Sequence, residues 1–128
     1  MLNYHLWLAV IWSVIISILC LTTSAAIPGI KVEGADKIVH TILYFFFTIF
    51  WYRYFRRELS ELEVSRILLF VFLVSGMYGV IIELSQAFFT RTREADINDV
   101  FANLAGSFLA VCILYGQSKY KESRSNNK

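Results

Sequence analysis

The chain has 128 residues, 57% of them hydrophobic and 17% charged, with a formal net charge of +2 at pH 7 and a mean hydropathy of +0.56. A composition this apolar excludes an ordinary soluble domain, and the basic residues, most of them in loops beside apolar segments, form no aromatic-interleaved platform for nucleic acid. The length predicts one domain with no room for a separate soluble module.

A membrane-spanning helix needs about 20 predominantly apolar residues, and four segments approach that. The first is Leu6–Ile27, closed by Pro28-Gly29. A cleaved signal peptide is the rival reading, since Thr23-Ser24-Ala25-Ala26 offers small residues for cleavage. The lack of Lys or Arg before Leu6 and the long apolar run favour a retained helix. A polar turn through Gly34 leads to the second span, Ile38–Tyr54, where Asp36 can cap the helix and face the positive end of its dipole. From Arg56 to Arg66, charges alternate with Leu59, Leu62 and Val64, as in a short amphipathic or helical loop. The third span is Ile67–Phe89, followed by a tight loop over Thr90–Ala95. The fourth is Ile97–Tyr115, capped by Asp96 or Asn98. From Ser118 onward the chain is polar and basic and is expected to fray, so residues 118–128 form a tail on a transmembrane domain of residues 1–117. The predicted fold is all-α: a polytopic bundle of about four transmembrane helices in two antiparallel hairpins.

Basic residues predict the orientation. Arg53, Arg56, Arg57, Arg66, Lys119, Lys121, Arg124 and Lys128 share one side, against Lys31, Lys37, Arg91 and Arg93 on the other. The positive-inside rule then puts both termini in the cytoplasm. Tyr4, Trp7, Trp51, Tyr52, Tyr54 and Tyr115 form an aromatic belt at that end. Cys20 and Cys112 fall at depths of about 10 and about 22 Å below the outer helix ends. A disulfide cannot bridge that difference, and both read as small core residues.

Polar residues intrude on the spans at helical spacing. Asp36, His40 and Tyr44 are four apart and share one face. Gly76, Gly79, Glu83 and Gln86 share another, and Asp96, Asp99, Asn103 and Gly106 a third. The glycines permit close backbone approach. The topology brings all three stripes to the outer end, with Glu83 about 9 Å deep, and predicts an outward-facing polar pocket. Ionisable groups at membrane depth cost about 2.5–3.5 kcal/mol each, so they usually serve a function. Glu83 is a candidate general base, metal ligand or acceptor for a cation; its structural alternative is an ion pair with Arg91, Arg93 or Lys37. His40 is a candidate acid–base group or an interfacial hydrogen-bonding histidine. Asp99 is a candidate site residue one turn inside Asp96, for which capping is the simpler role. His40, Glu83 and Asp99 are also the candidates for a divalent cation, although no metal-binding motif supports one. Arg91 and Arg93 carry forks suited to phosphate or carboxylate, or are simply solvated. Lys37 can do the same or pair with Glu33. Ser85 and Ser107 lie among apolar residues with no base nearby, and no GxSxG elbow or phosphate loop is present.

The string Asp36-Lys37-Ile38-Val39-His40-Thr41-Ile42-Leu43-Tyr44-Phe45, with Ile82-Glu83-Leu84-Ser85-Gln86 and the run from Arg91 through Asp96, Asp99 and Asn103 to Gly106, resembles the VanZ-like family of small bacterial membrane proteins. The resemblance covers nearly the whole hydrophobic part. It departs slightly before the second helix, where that family often has more prolines and this chain has only Pro28. It implies a multi-helix protein of the bacterial plasma membrane. The family is named for a member linked to low-level resistance to the glycopeptide teicoplanin. It directs attention to Asp36, Lys37, His40, Glu83, Gln86, Arg93, Asp96, Asp99, Asn103 and Gly106.

Three functions compete. The first is a binder whose pocket engages a membrane lipid, a lipid-linked envelope precursor or a lipophilic glycopeptide. Arg91, Arg93 and Lys37 would then hold anionic groups around Glu83, His40 and Asp99, with Asp36, Tyr44, Gln86, Asp96 and Asn103 as further binding residues. The second is a membrane-embedded hydrolase or transferase with Glu83 or His40 as base. The third is a polar zipper with a structural role alone. An oligomer is compatible with all three.

Overall fold

The structure, a computed structural model, describes residues 3–22, 34–89 and 96–127. They form α1 (Tyr4–Thr22), α2 (Ala35–Glu58), α3 (Val64–Phe89) and α4 (Ile97–Asn126), each long and apolar enough to cross a membrane. The turns expected at Pro28-Gly29 and over Thr90–Ala95 lie outside the described residues.

Several helix ends differ from expectation. The residue that caps α2 is Gly34, at φ 87°, with no side-chain hydrogen bond. That left-handed backbone suits glycine. Asp36 therefore lies inside the first turn, where it still faces the dipole, and does not act as the cap. The amphipathic loop shrinks to a short turn. The Leu59 N–H closes α2 on the Phe55 carbonyl at 2.8 Å, Arg56 Nη1 donates to the Ser60 carbonyl at 3.0 Å, and α3 starts at Val64. The polar tail is helical as far as Asn126. No Gly or Pro follows Gly116 to stop it, and Lys119 pairs with Glu122 one turn on at 2.8 Å. Asp96 caps α4 as expected, accepting from the Asn98 N–H at 2.9 Å.

Asn3 Nδ2 donates to Glu58 Oε1 at 2.6 Å, joining the start of α1 to the end of α2 in an antiparallel hairpin. α3 and α4 form the second hairpin. α2 touches all three other helices, whereas α1 and α4 make no packing contact among the described residues. The closest pairing is α2 with α4, which run parallel because Lys37 meets Asp96 and His40 meets Asn103.

α1 is held by aromatic side chains. Ile16, Cys20, Leu43, Tyr44, Phe47 and Ile82 form an apolar cluster flanked by Trp12, Trp51 and Tyr78. The polar tips of those three find partners. Trp12 Nε1 donates to the Leu43 carbonyl at 2.9 Å, Trp51 Nε1 to Ser13 Oγ at 3.1 Å, and the Tyr78 hydroxyl to the Ser13 carbonyl at 2.7 Å. Cys20 and Cys112 are not bridged to each other, as expected, but Cys112 is exposed and not a core residue. It lies on the outward side of α4.

Burial is inverted relative to a water-soluble bundle. Leu69, Leu73, Met77, Phe101, Phe108 and Leu109 face outward, while His40, Thr48, Ser75, Glu83, Gln86, Asp99, Asn103 and Ser107 are buried. Hydrocarbon solvates the first set and helix contacts satisfy most of the second. The chain is a multi-pass membrane protein.

Candidate functional site

Four-residue spacing places Asp36, His40 and Tyr44 on one side of α2, where His40 meets Asp99 and Asn103 of α4 and the Tyr44 ring lies against Gly79 of α3. Gly106 makes this approach possible. A Cβ there would fall on the Thr41 carbonyl oxygen, with Thr41 Cα 3.0 Å away. Thr41 Oγ1 spans the same contact, donating to the carbonyls of Lys37 at 2.8 Å and Ala102 at 3.2 Å. Gly79 performs the equivalent task on α3, its missing side chain leaving room for Asn103 and the Tyr44 ring.

Lys37 is the cation of the group. Its Nζ lies 3.2 Å from Asp96 Oδ2, 3.5 Å from Asp99 Oδ1 and 3.6 Å from Asp36 Oδ2. Asp99 is buried, and its other oxygen lies 3.7 Å from His40 Nε2. His40 Nδ1 is 3.0 Å from Asn103 Oδ1; the hydrogen sits on Nδ1 when that oxygen is the acceptor. Glu83 Oε1 accepts from the Asp96 backbone N–H at 2.6 Å. Asp96 is thus where three helices meet: its N–H reaches α3, its carboxylate caps α4, and Lys37 reaches it from α2. The Asn98 N–H, aided by Lys37, holds this carboxyl below the ordinary aspartate value.

Two donors in this region have no partner among the described residues. The Tyr44 hydroxyl and Asn103 Nδ2 make no hydrogen bond there, although Tyr44 is 0% and Asn103 1% exposed. Asn103 Nδ2 and the ring of Tyr44 lie against Gly79. A buried donor left unsatisfied costs about 1–3 kcal/mol.

Of the predicted residues, Asp36, Lys37, His40, Asp96, Asp99 and Asn103 come together, with Glu83 joined through Asp96. Gln86 donates to the Cys20 carbonyl at 2.7 Å, tying α3 to α1. Arg91 and Arg93 lie outside the described residues. Among the described residues, no three His, Cys, Asp or Glu side chains form a group able to hold a metal ion, so His40, Glu83 and Asp99 do not converge in that way. These groups are also packed against one another and not spread around an open pocket. Their access to the surface is at Asp36, Lys37 and Asp96, whose side chains are 41%, 39% and 40% exposed.

Sequence reasoning missed a hydroxyl layer one turn deeper. Ser75 and Ser107 share a 2.6 Å hydrogen bond, Thr48 donates to Ser75 at 3.4 Å, and Ser107 donates to the Asn103 carbonyl at 2.9 Å. Ser107 therefore has polar surroundings, contrary to expectation. Extending the two stripes by four residues, from Tyr44 to Thr48 and from Asn103 to Ser107, would have found it.

The sequence model of the VanZ/LLP1 family matches residues 2–117. An uncharacterised protein of the fission yeast Schizosaccharomyces pombe is 32% identical over 103 residues, covering 76% of this chain and 58% of the yeast protein. This chain thus spans little more than half the length of that relative, and the similarity reaches a eukaryote. No solved structure matches.

Proposed function

Since the chain belongs to the VanZ/LLP1 family, we propose that it is a membrane-embedded binding protein whose polar centre takes an oxygen-rich headgroup. Suitable ligands are a membrane lipid, a lipid-linked envelope precursor or a lipophilic glycopeptide. The observation that carries this reading is the pair of unpartnered donors, the Tyr44 hydroxyl and Asn103 Nδ2. A purely structural network gains most when every member is satisfied, and two buried donors call for acceptor oxygens from elsewhere. Phosphate, sugar and carbonyl groups supply them. Lys37 and Asp96, half-exposed at the helix ends, are the first groups such a ligand meets.

A hydrolase or transferase draws less support. His40 directs Nδ1 to Asn103 and Nε2 to Asp99, leaving neither ring nitrogen aimed at a substrate. In the proposed setting the protein lies in a plasma membrane, bacterial where the ligand is an envelope precursor, with both termini cytoplasmic and the polar centre facing out.

Native mass spectrometry of the purified protein, beside Glu83→Gln, tests the reading. Wild type should carry a discrete headgroup-bearing molecule that the variant carries less of. Bare wild-type protein, with the variant merely less stable, would leave the polar zipper as the better account.

A further inference from the structure

At the end of the bundle opposite the polar centre, α2, α3 and α4 border a cavity of about 360 Å³ that is open on one side. Its polar wall is made by Tyr52 and Arg56 of α2 and by Gln117, Ser118 and Lys121 of α4. All five side chains can donate hydrogen bonds, and two are cations. Arg56 uses Nη1 on the Ser60 carbonyl, which fixes the guanidinium and leaves further N–H groups for a ligand. Lys121 is exposed and makes no ion pair among the described residues. Leu114 and Val64 complete the lining. Val64 is the first residue of the long α3, so the positive end of that helix dipole adds to the field.

Among the described residues no carboxylate lines this cavity, and three of those nearby are engaged elsewhere. Glu58 accepts from Asn3, Glu63 faces Arg66 at 3.8 Å, and Glu122 is held by Lys119 at 2.8 Å. Glu61 is exposed in the turn. The aromatic residues Trp51, Tyr52 and Tyr54 put this part of α2 at headgroup level. A net-positive, donor-lined cavity with apolar walls, at that level, matches an anion that arrives on a membrane lipid.

We infer that this cavity binds a phosphate-bearing anion, presented as the headgroup of an anionic phospholipid. The site is separate from the polar centre and does not rest on its function. The test uses the full chain in nanodiscs of phosphatidylcholine mixed with phosphatidylglycerol, with retained lipid counted by native mass spectrometry. Wild type should prefer phosphatidylglycerol by about tenfold or more, and Lys121→Gln should lower that preference about fivefold, the effect of one basic residue near anionic lipid. Arg57→Gln, which removes an exposed charge outside the cavity, should leave it unchanged. Displacement by inorganic phosphate alone would indicate that the free anion suffices, and resistance to it would assign the lipid form. Equal losses in Lys121→Gln and Arg57→Gln, or none in either, would overturn the inference. Arg56→Gln also breaks the turn contact to Ser60, so Lys121→Gln is the deciding variant. These outcomes leave the headgroup test at Tyr44 and Glu83 untouched.

Discussion

Gly106 and Gly116 lie on the same helix and should respond oppositely to one added methyl group. At Gly106 a Cβ would meet the Thr41 backbone, which can move only if α2 and α4 separate. At Gly116 there is nothing within 4 Å. Gly106→Ala should therefore cost about 1–3 kcal/mol through overpacking. Gly116→Ala should gain about 0.5–1 kcal/mol from helix propensity. Thermal unfolding in detergent checks both, and equal effects would refute the tight crossing. The crossing was legible in part, because Gly106 continues the stripe of Asp96, Asp99 and Asn103. The partner was not, since nothing in the spacing says that Thr41 of α2 fills the space. Gln86 shows the same limit: its stripe was visible, but its bond to Cys20 of α1 depends on how the helices assemble.

α4 carries the structure's most explicit local signal, a capping aspartate followed by an acidic first turn. The Asp96 carboxyl lies below its ordinary value of 3.8, first because the Asn98 N–H donates to it and then because Lys37 lies beside it. A depressed acid stabilises the fold above its unfolded value and loses that contribution as pH falls through the folded value. Amides in the first turn of α4 should stay protected from hydrogen exchange near pH 4 and lose protection at lower pH. Asp96→Asn keeps a capping oxygen without the charge and should flatten that dependence, whereas Asp96→Ala should destabilise α4 at neutral pH by an amount that shrinks as pH falls through the folded value. An unchanged pH profile in Asp96→Asn would contradict this role. The far end of α4 was less legible. Polar composition signals solvation, and solvated residues without a breaker can continue a helix, as Lys119 and Glu122 do here.

For the whole molecule, the number of spans and the hairpin pairing followed from hydropathy, because the hydrocarbon core sets helix length. Which helices would meet most closely did not follow. The parallel α2–α4 pair arises from side-chain fit between helices far apart in the chain, at Lys37 with Asp96 and His40 with Asn103. That pairing brings the polar stripes together and leaves Tyr44 and Asn103 with buried donors, Asn103 Nδ2 and the Tyr44 ring lying against Gly79. Whether those donors await a ligand is the central question. Tyr44→Phe addresses it most directly, because it removes a hydroxyl that bonds to nothing among the described residues. Unfolding temperature and lipid retained through purification should be measured on wild type and variant. A binding centre predicts that the Tyr44→Phe variant folds at least as stably as wild type, gaining up to about 1–3 kcal/mol, yet retains clearly less ligand. Greater stability with ligand retention unchanged would contradict the binding role and leave Tyr44 as a packing residue.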